Sequence, residues 1–288
     1  MRSKGFLVLL GVLIGLILIT LVYREWKKPA RGLMLLSNFG ELQRIRLGAE
    51  DSTIILELAG GEWRIMSPIE AKPDRKVVDQ LMEGLKKIEL GEVVSSRPEM
   101  YATFGVDEET GRRVSLHSLS DSISFIAGRT AGMDETYVRL SGGSDVYLTA
   151  GVPRHLLDRE LDNWRDKSIL SLVKTDVERI TFEYPSQSYS LLRDEGGWAL
   201  DGDSVDSDAV ALLLSMLENL RADGFVDDGE LQPEFTIEVT LVGGKGERLY
   251  IGTSTDGGYP VMRDGDNTIF LLSERKVDRL KKKASDFR

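Results

Sequence analysis

The stretch DGDSVDSDAV, Asp201–Val210, alternates carboxylates in the manner of a calcium loop. Such a loop needs Asp or Asn at its fifth position, glycine at its sixth and glutamate at its twelfth. Here those positions hold Val205, Asp206 and Leu212, so the acids read instead as turn residues leading into a helix capped by Asp206. GGKGER, Gly243–Arg248, carries the glycines of a phosphate cradle without its Lys-Ser/Thr ending. It also runs into a strand where a cradle needs a helix start, which makes it a hairpin turn. His117 on a strand and His155 in a helix share no metal-ligand spacing. GTSTDG, from Gly252, lacks the second glycine of a serine nucleophile elbow. Cysteine is absent, which removes disulfides, thiolate metal sites and cysteine nucleophiles together. The residues therefore assign no catalytic group, no cofactor and no metal site. A hydrolase working through a carboxylate pair remains an alternative, because 47 acidic residues make some juxtaposition inevitable.

The elements around these residues begin with the unbroken apolar run Phe6–Tyr23. At helical rise it covers roughly 27 Å, close to the hydrocarbon thickness of a bilayer. It ends in TLVYREWKK, with Tyr23 and Trp26 suited to the interface and Arg24, Lys27 and Lys28 to headgroups, where a cleavable signal would show a small-residue cleavage site. Residues 1–31 are thus expected to be an uncleaved membrane anchor, with residues 6–23 in the bilayer. Basic residues flank both ends, so the positive-inside rule is nearly silent. The short head favours a signal anchor with the soluble part outside the cell membrane. Gly11 and Gly15 form a GxxxG pair that could let two such helices approach closely. The net charge of −10, more negative still beyond residue 31, argues against nucleic acid as a partner.

Beyond the anchor the same signals occur twice in the same order, which points to an internal duplication. LQRIRL from Leu42 and STIILEL from Ser52 are matched by VERITFEY from Val177 and YSLLR from Tyr189, each pair leading into a glycine doublet and a tryptophan, Trp63 or Trp198. The two tryptophans read as core residues. Asp74 and Asp206 then open helices in which Val78, Leu81, Leu85 and Ile88 fall on Val210, Leu213, Leu217 and Leu220 at a constant separation. YVRLSGGSDVYL from Tyr137 and YPVMRDGDNTIFL from Tyr259 are corresponding hairpins with Gly/Asp turns. Closing helical stretches place Leu157, Trp164 and Arg165 on Leu280, Phe287 and Arg288. The expected fold is α+β: an N-terminal transmembrane helix followed by two tandem, mainly antiparallel sheet-plus-helix units, 32–167 and 168–288, with helices on one face. The first unit has an extra segment, RPEMYATFGVDEETG (Arg97–Gly111), which reads as the most irregular loop.

WRIMSPIEAKPDRKVVDQL from Trp63, YATFGVDE from Tyr101, the YVRL and VYL hairpin and LDNWRDKSIL from Leu161 together resemble a bacterial family catalogued as domain of unknown function 4340. The resemblance implies a membrane-anchored, extracytoplasmic protein, often encoded beside ABC-type transport proteins similar to those of gliding motility. Its motifs are structural. A non-enzymatic accessory role in the cell envelope is therefore expected, through protein partners that include ABC-type transporter components. The interaction surface is expected at Tyr101 and Phe104 of the extra segment together with Trp164, Arg165 and Asp166 at the junction of the units. A binding module for a small or glycan ligand in the cleft between units is the alternative.

Overall fold

The computed structural model describes residues 33–37, 39–48 and 53–288. The apolar run 6–23, with Gly11 and Gly15, lies outside the described residues; among those that are described, no helix is long and apolar enough to cross a membrane. The fold is mainly antiparallel sheet with a smaller share of helix, in two compact units, one ending at Arg165 and the other spanning Asp166–Arg288.

The first unit holds β1 (Leu33–Met34), β2 (Arg44–Gly48), β3 (Ile54–Ala59), β4 (Glu62–Ser67), β5 (Glu89–Ser95), β6 (Arg112–His117), β7 (Ser122–Thr130), β8 (Glu135–Leu140) and β9 (Val146–Ala150). They form one nine-stranded sheet in the order β1-β5-β9-β8-β7-β6-β2-β3-β4. One face is apolar because Ile45 and Leu47, Val114 and Leu116, and Phe125 and Ala127 alternate along their strands. Helix α1 (Arg75–Lys86) lays Val77, Leu81 and Leu85 on that face, with Arg75, Asp79 and Glu83 left in water. Its start is fixed by Asp74, whose side chain accepts from the Lys76 amide at 2.9 Å. The same core takes in Leu156 and Leu157 of the short helix α3 (Arg154–Leu157) and then Trp164. Each fully buried leucine contributes about 1.5–3 kcal/mol relative to exposure.

The expectation of helices on one face only is corrected in this unit. The first half of the extra segment is regular, a correction to the loop expected there: a 3-10 turn, Pro98–Met100, leads into α2 (Tyr101–Phe104), which ends on Gly105 in the left-handed region at φ 66°, and turns carry the chain on to Gly111. It covers the opposite face of the sheet, where Val106, Ile126 and Val146 are buried together beneath Tyr101, Phe104 and Tyr137.

The second unit holds β10 (Ser168–Ser171), β11 (Val177–Tyr184), β12 (Gln187–Asp194), β13 (Gly197–Leu200), β14 (Asp203–Ser204), helix α4 (Ser207–Leu217), β15 (Asn219–Arg221), β16 (Gly224–Val226), β17 (Pro233–Leu241), β18 (Gly246–Gly252), β19 (Tyr259–Arg263), β20 (Ile269–Leu272) and helix α5 (Glu274–Leu280). Its large sheet runs β14-β13-β12-β11-β17-β18-β19-β20-β16, and β10 pairs with β15 apart from it. Asp166 and Lys167 belong here, since Asp166 accepts from the Ser168 amide at 3.0 Å and the Lys167 carbonyl accepts from Ala222 at 2.7 Å.

Eight strands of each large sheet follow one order: β4-β3-β2-β6-β7-β8-β9-β5 in the first unit and β13-β12-β11-β17-β18-β19-β20-β16 in the second. Registers agree as well. Leu47 sits opposite Ile54 and Val114, as Phe182 sits opposite Tyr189 and Ile237. The amide of each helix-capping aspartate bonds the carbonyl of the last buried aromatic of its unit, Asp74 to Trp164 at 2.7 Å and Asp206 to Phe287 at 2.9 Å.

Candidate binding pocket in the first unit

A cavity of about 300 Å³ opens in the first unit where the β2–β3 end of the sheet meets α3. Leu47 and Ile54, paired across β2 and β3, form one wall, and Leu157 and Leu161 form another. Trp164 supplies the floor; it is wholly buried, its amide bonded to Leu161 at 2.8 Å and its carbonyl to Asp74. Pro68 closes one side. Charged residues make the rim: Arg112 from the start of β6, and Asp158, Arg159 and Glu160 from the chain leaving α3.

Asp158 holds that rim together. One of its oxygens accepts from Arg112 Nε at 2.8 Å and the other from Arg154 Nε at 2.9 Å, while Arg154 also donates to the Ala127 carbonyl. With both carboxylate oxygens engaged, Asp158 fixes the Arg112 guanidinium beside the opening. The arrangement is an apolar slot with oriented donors at its mouth, the ordinary form of a small-molecule or side-chain site.

The residues expected to form one interaction surface fall into three places. Trp164 is 0% exposed and Arg165 6%, so neither presents the exposed face expected of it. The reason is packing: Trp164 fills the core beneath α1, and Arg165 lies beside Asp162 with its backbone bridged to Pro73. Asp166 caps Ser168 in the second unit. Tyr101 and Phe104 lie on the other face of the sheet, where the Tyr101 hydroxyl donates to the Ser144 carbonyl at 3.0 Å, the Arg139 guanidinium stands 4.5 Å from the Tyr101 ring, and Phe104 meets Tyr137 at 4.7 Å. Behind them Asp107 closes a turn, and the hydrogen bond from the Thr110 hydroxyl holds its carboxyl below the usual range. Only Trp164 of the five reaches the pocket.

The remaining candidates are also placed. Asp206 caps α4, accepting from Asp208 at 2.9 Å and Ala209 at 3.4 Å. Gly243 and Gly244 make the β17–β18 turn, His155 is exposed and His117 half-buried. Among the described residues no three acids or histidines lie close enough to hold a metal ion. Trp63 and Trp198 are half-buried at the flank of each core, a correction to their expected burial: β4 and β13 lie at or next to the sheet edge, where little packs over them. Arg112 and Asp158 were missed by sequence reasoning. The signal that could have found them is positional, since Arg112 stands where the second unit has Phe235.

A family model described as Domain of unknown function (DUF4340) matches residues 63–234, which spans the later part of the first unit and the earlier part of the second. No curated protein and no solved structure matches the chain. The matched segment covers more than half of the chain and contains Arg112, Asp158 and Trp164 of the pocket. The chain belongs to the family described as domain of unknown function (DUF4340).

Proposed function

We propose that this is a single-pass, membrane-anchored protein that displays two duplicated α+β modules outside the cell membrane and acts by binding, as an accessory to an envelope complex such as an ABC-type transporter. The apolar run 6–23 supports the anchor, and the shared strand order and register of the two units support the duplication. The observation that carries the binding role is the first-unit pocket, an apolar slot floored by Trp164 and rimmed by the Arg112–Asp158 pair. Its walls are contacts for a ligand and its charged groups orient one another.

The test is photocrosslinking in intact cells with a diazirine-bearing lysine in place of Arg159 at the pocket mouth. A discrete adduct is expected, absent when the same group replaces Lys282, the corresponding position of the second unit. Equal labelling from both positions, or none from either, overturns the reading.

A further inference from the structure

The pocket has a counterpart in the second unit, and there it is filled by rings. Register places Leu47 on Phe182, Ile54 on Tyr189 and Arg112 on Phe235, and the closing segment places Asp158 on Lys281, Arg159 on Lys282 and Trp164 on Phe287. The contacts agree with this alignment: Arg112 pairs with Asp158 in one unit, and Lys281 stands 5.8 Å from the Phe235 ring in the other. Phe182 stacks on Tyr189 at 5.0 Å and meets Phe287 at 6.2 Å, and Tyr184 stacks on Phe235 at 5.3 Å. Both phenols, Tyr184 and Tyr189, donate to one carbonyl, that of Lys282. In the first unit the corresponding carbonyl is that of Arg159, a pocket residue, and it has no donor among the described residues.

Resting on the pocket as the binding site, we infer that its occupant is a phenolic ring, supplied in trans, that takes the place Tyr189 and its neighbours fill in the second unit. The aliphatic side chains Leu47 and Ile54 leave out the ring volume that Phe182 and Tyr189 supply, and Trp164 offers an aromatic floor where Phe287 does. The ring's hydroxyl donates to the Arg159 carbonyl, repeating the bond to Lys282. Arg112, held in orientation by Asp158, covers the ring face as Phe235 covers that of Tyr184 in the second unit and as Arg139 covers Tyr101 in the first. A phenol meets three demands at once: a flat apolar body, a face for a guanidinium and one donor at its tip.

The experiment is calorimetric titration of the full chain in detergent with N-acetyl-tyrosinamide, N-acetyl-phenylalaninamide and p-cresol, and with a hexapeptide carrying one tyrosine. The tyrosine derivative is expected to bind about five- to tenfold more tightly than the phenylalanine one, the share of one hydrogen bond. The triple variant Leu47→Phe/Ile54→Tyr/Arg112→Phe, which writes the second unit's plug into the first, is expected to bind neither. Nuclear Overhauser contacts from the bound ring to the Trp164 indole and Leu157 methyls keep the idea testable should that variant not fold. Tighter binding of p-cresol or of the peptide names a free phenol or a protein segment as the source. Equal affinity for the two amino-acid amides sinks the phenol while leaving the pocket standing; titration unchanged by the triple variant, or absent for every probe, sinks both.

Discussion

Tyr184 and Tyr189 show at the scale of single groups how the second unit is committed to its plug. Burial pushes the Tyr184 phenol up to about 12 and drives that of Tyr189 further in the same direction, because each hydroxyl lies among rings where a phenolate would lose its water. An unfolded chain releases those protons near pH 10, so above that point it binds fewer protons than the folded unit. Stability of the second unit is therefore fully present below about pH 10 and falls as pH rises from about 10 through about 12. Urea unfolding followed against pH should show this slope, and Tyr184→Phe/Tyr189→Phe should flatten it while losing about 0.5–1.5 kcal/mol per bond at neutral pH. An unchanged alkaline slope in the double variant would remove these phenols as its cause. At this scale the sequence was readable where the chemistry is local. Asp74 and Asp206 announce caps because the bond they make lies two residues away. Arg112 announces nothing, since a strand arginine looks solvated until Asp158 is folded against it.

Among the elements, the two capped helices form a matched experiment. Asp74 and Asp206 hold equivalent places, each with its amide tied to the closing aromatic and its carboxylate on the first free amides of its helix. Asp74→Ala and Asp206→Ala should each cost about 1 kcal/mol, read as a shift in the urea midpoint of the unit concerned and not of the other. A loss in one helix alone would break the equivalence. The repeated helices were legible because Val78, Leu81 and Leu85 and their partners Val210, Leu213 and Leu217 recur at helical spacing, all of them buried; Ile88 and Leu220, expected to continue the stripe, are buried past the helix ends, Leu220 in β15. The extra segment was not legible, for α2 is too short to show a period. Its course is set elsewhere, at Gly128, where a Cβ would stand 2.3 Å from the Phe104 carbonyl. The strand order also escaped the sequence: β5 and β16 lie beside β9 and β20 through pairings between residues far apart in the chain.

For the molecule as a whole, each unit owns a hydrophobic core drawn from its own residues. Residues 166–288 expressed alone should fold cooperatively, with dispersed amide resonances and the same alkaline slope as in the full chain. A collapsed, undispersed spectrum would mean that the second core is incomplete without the first. The sequence disclosed two units because their signals recur in order, and it hid the difference between them. Leucine and isoleucine in one copy, phenylalanine and tyrosine in the other, both satisfy a core pattern, and only packing shows that the larger set closes what the smaller leaves open.

The position of the closing aromatics bears on synthesis. Trp164 is translated before any residue of the second unit, so every piece of the first unit's interior is made first. Phe287, against which Phe182 and Tyr189 pack, is made long after either of those rings. Until Phe287 arrives those sticky rings stay unsheltered, and it is there that a nascent chain would call for a chaperone.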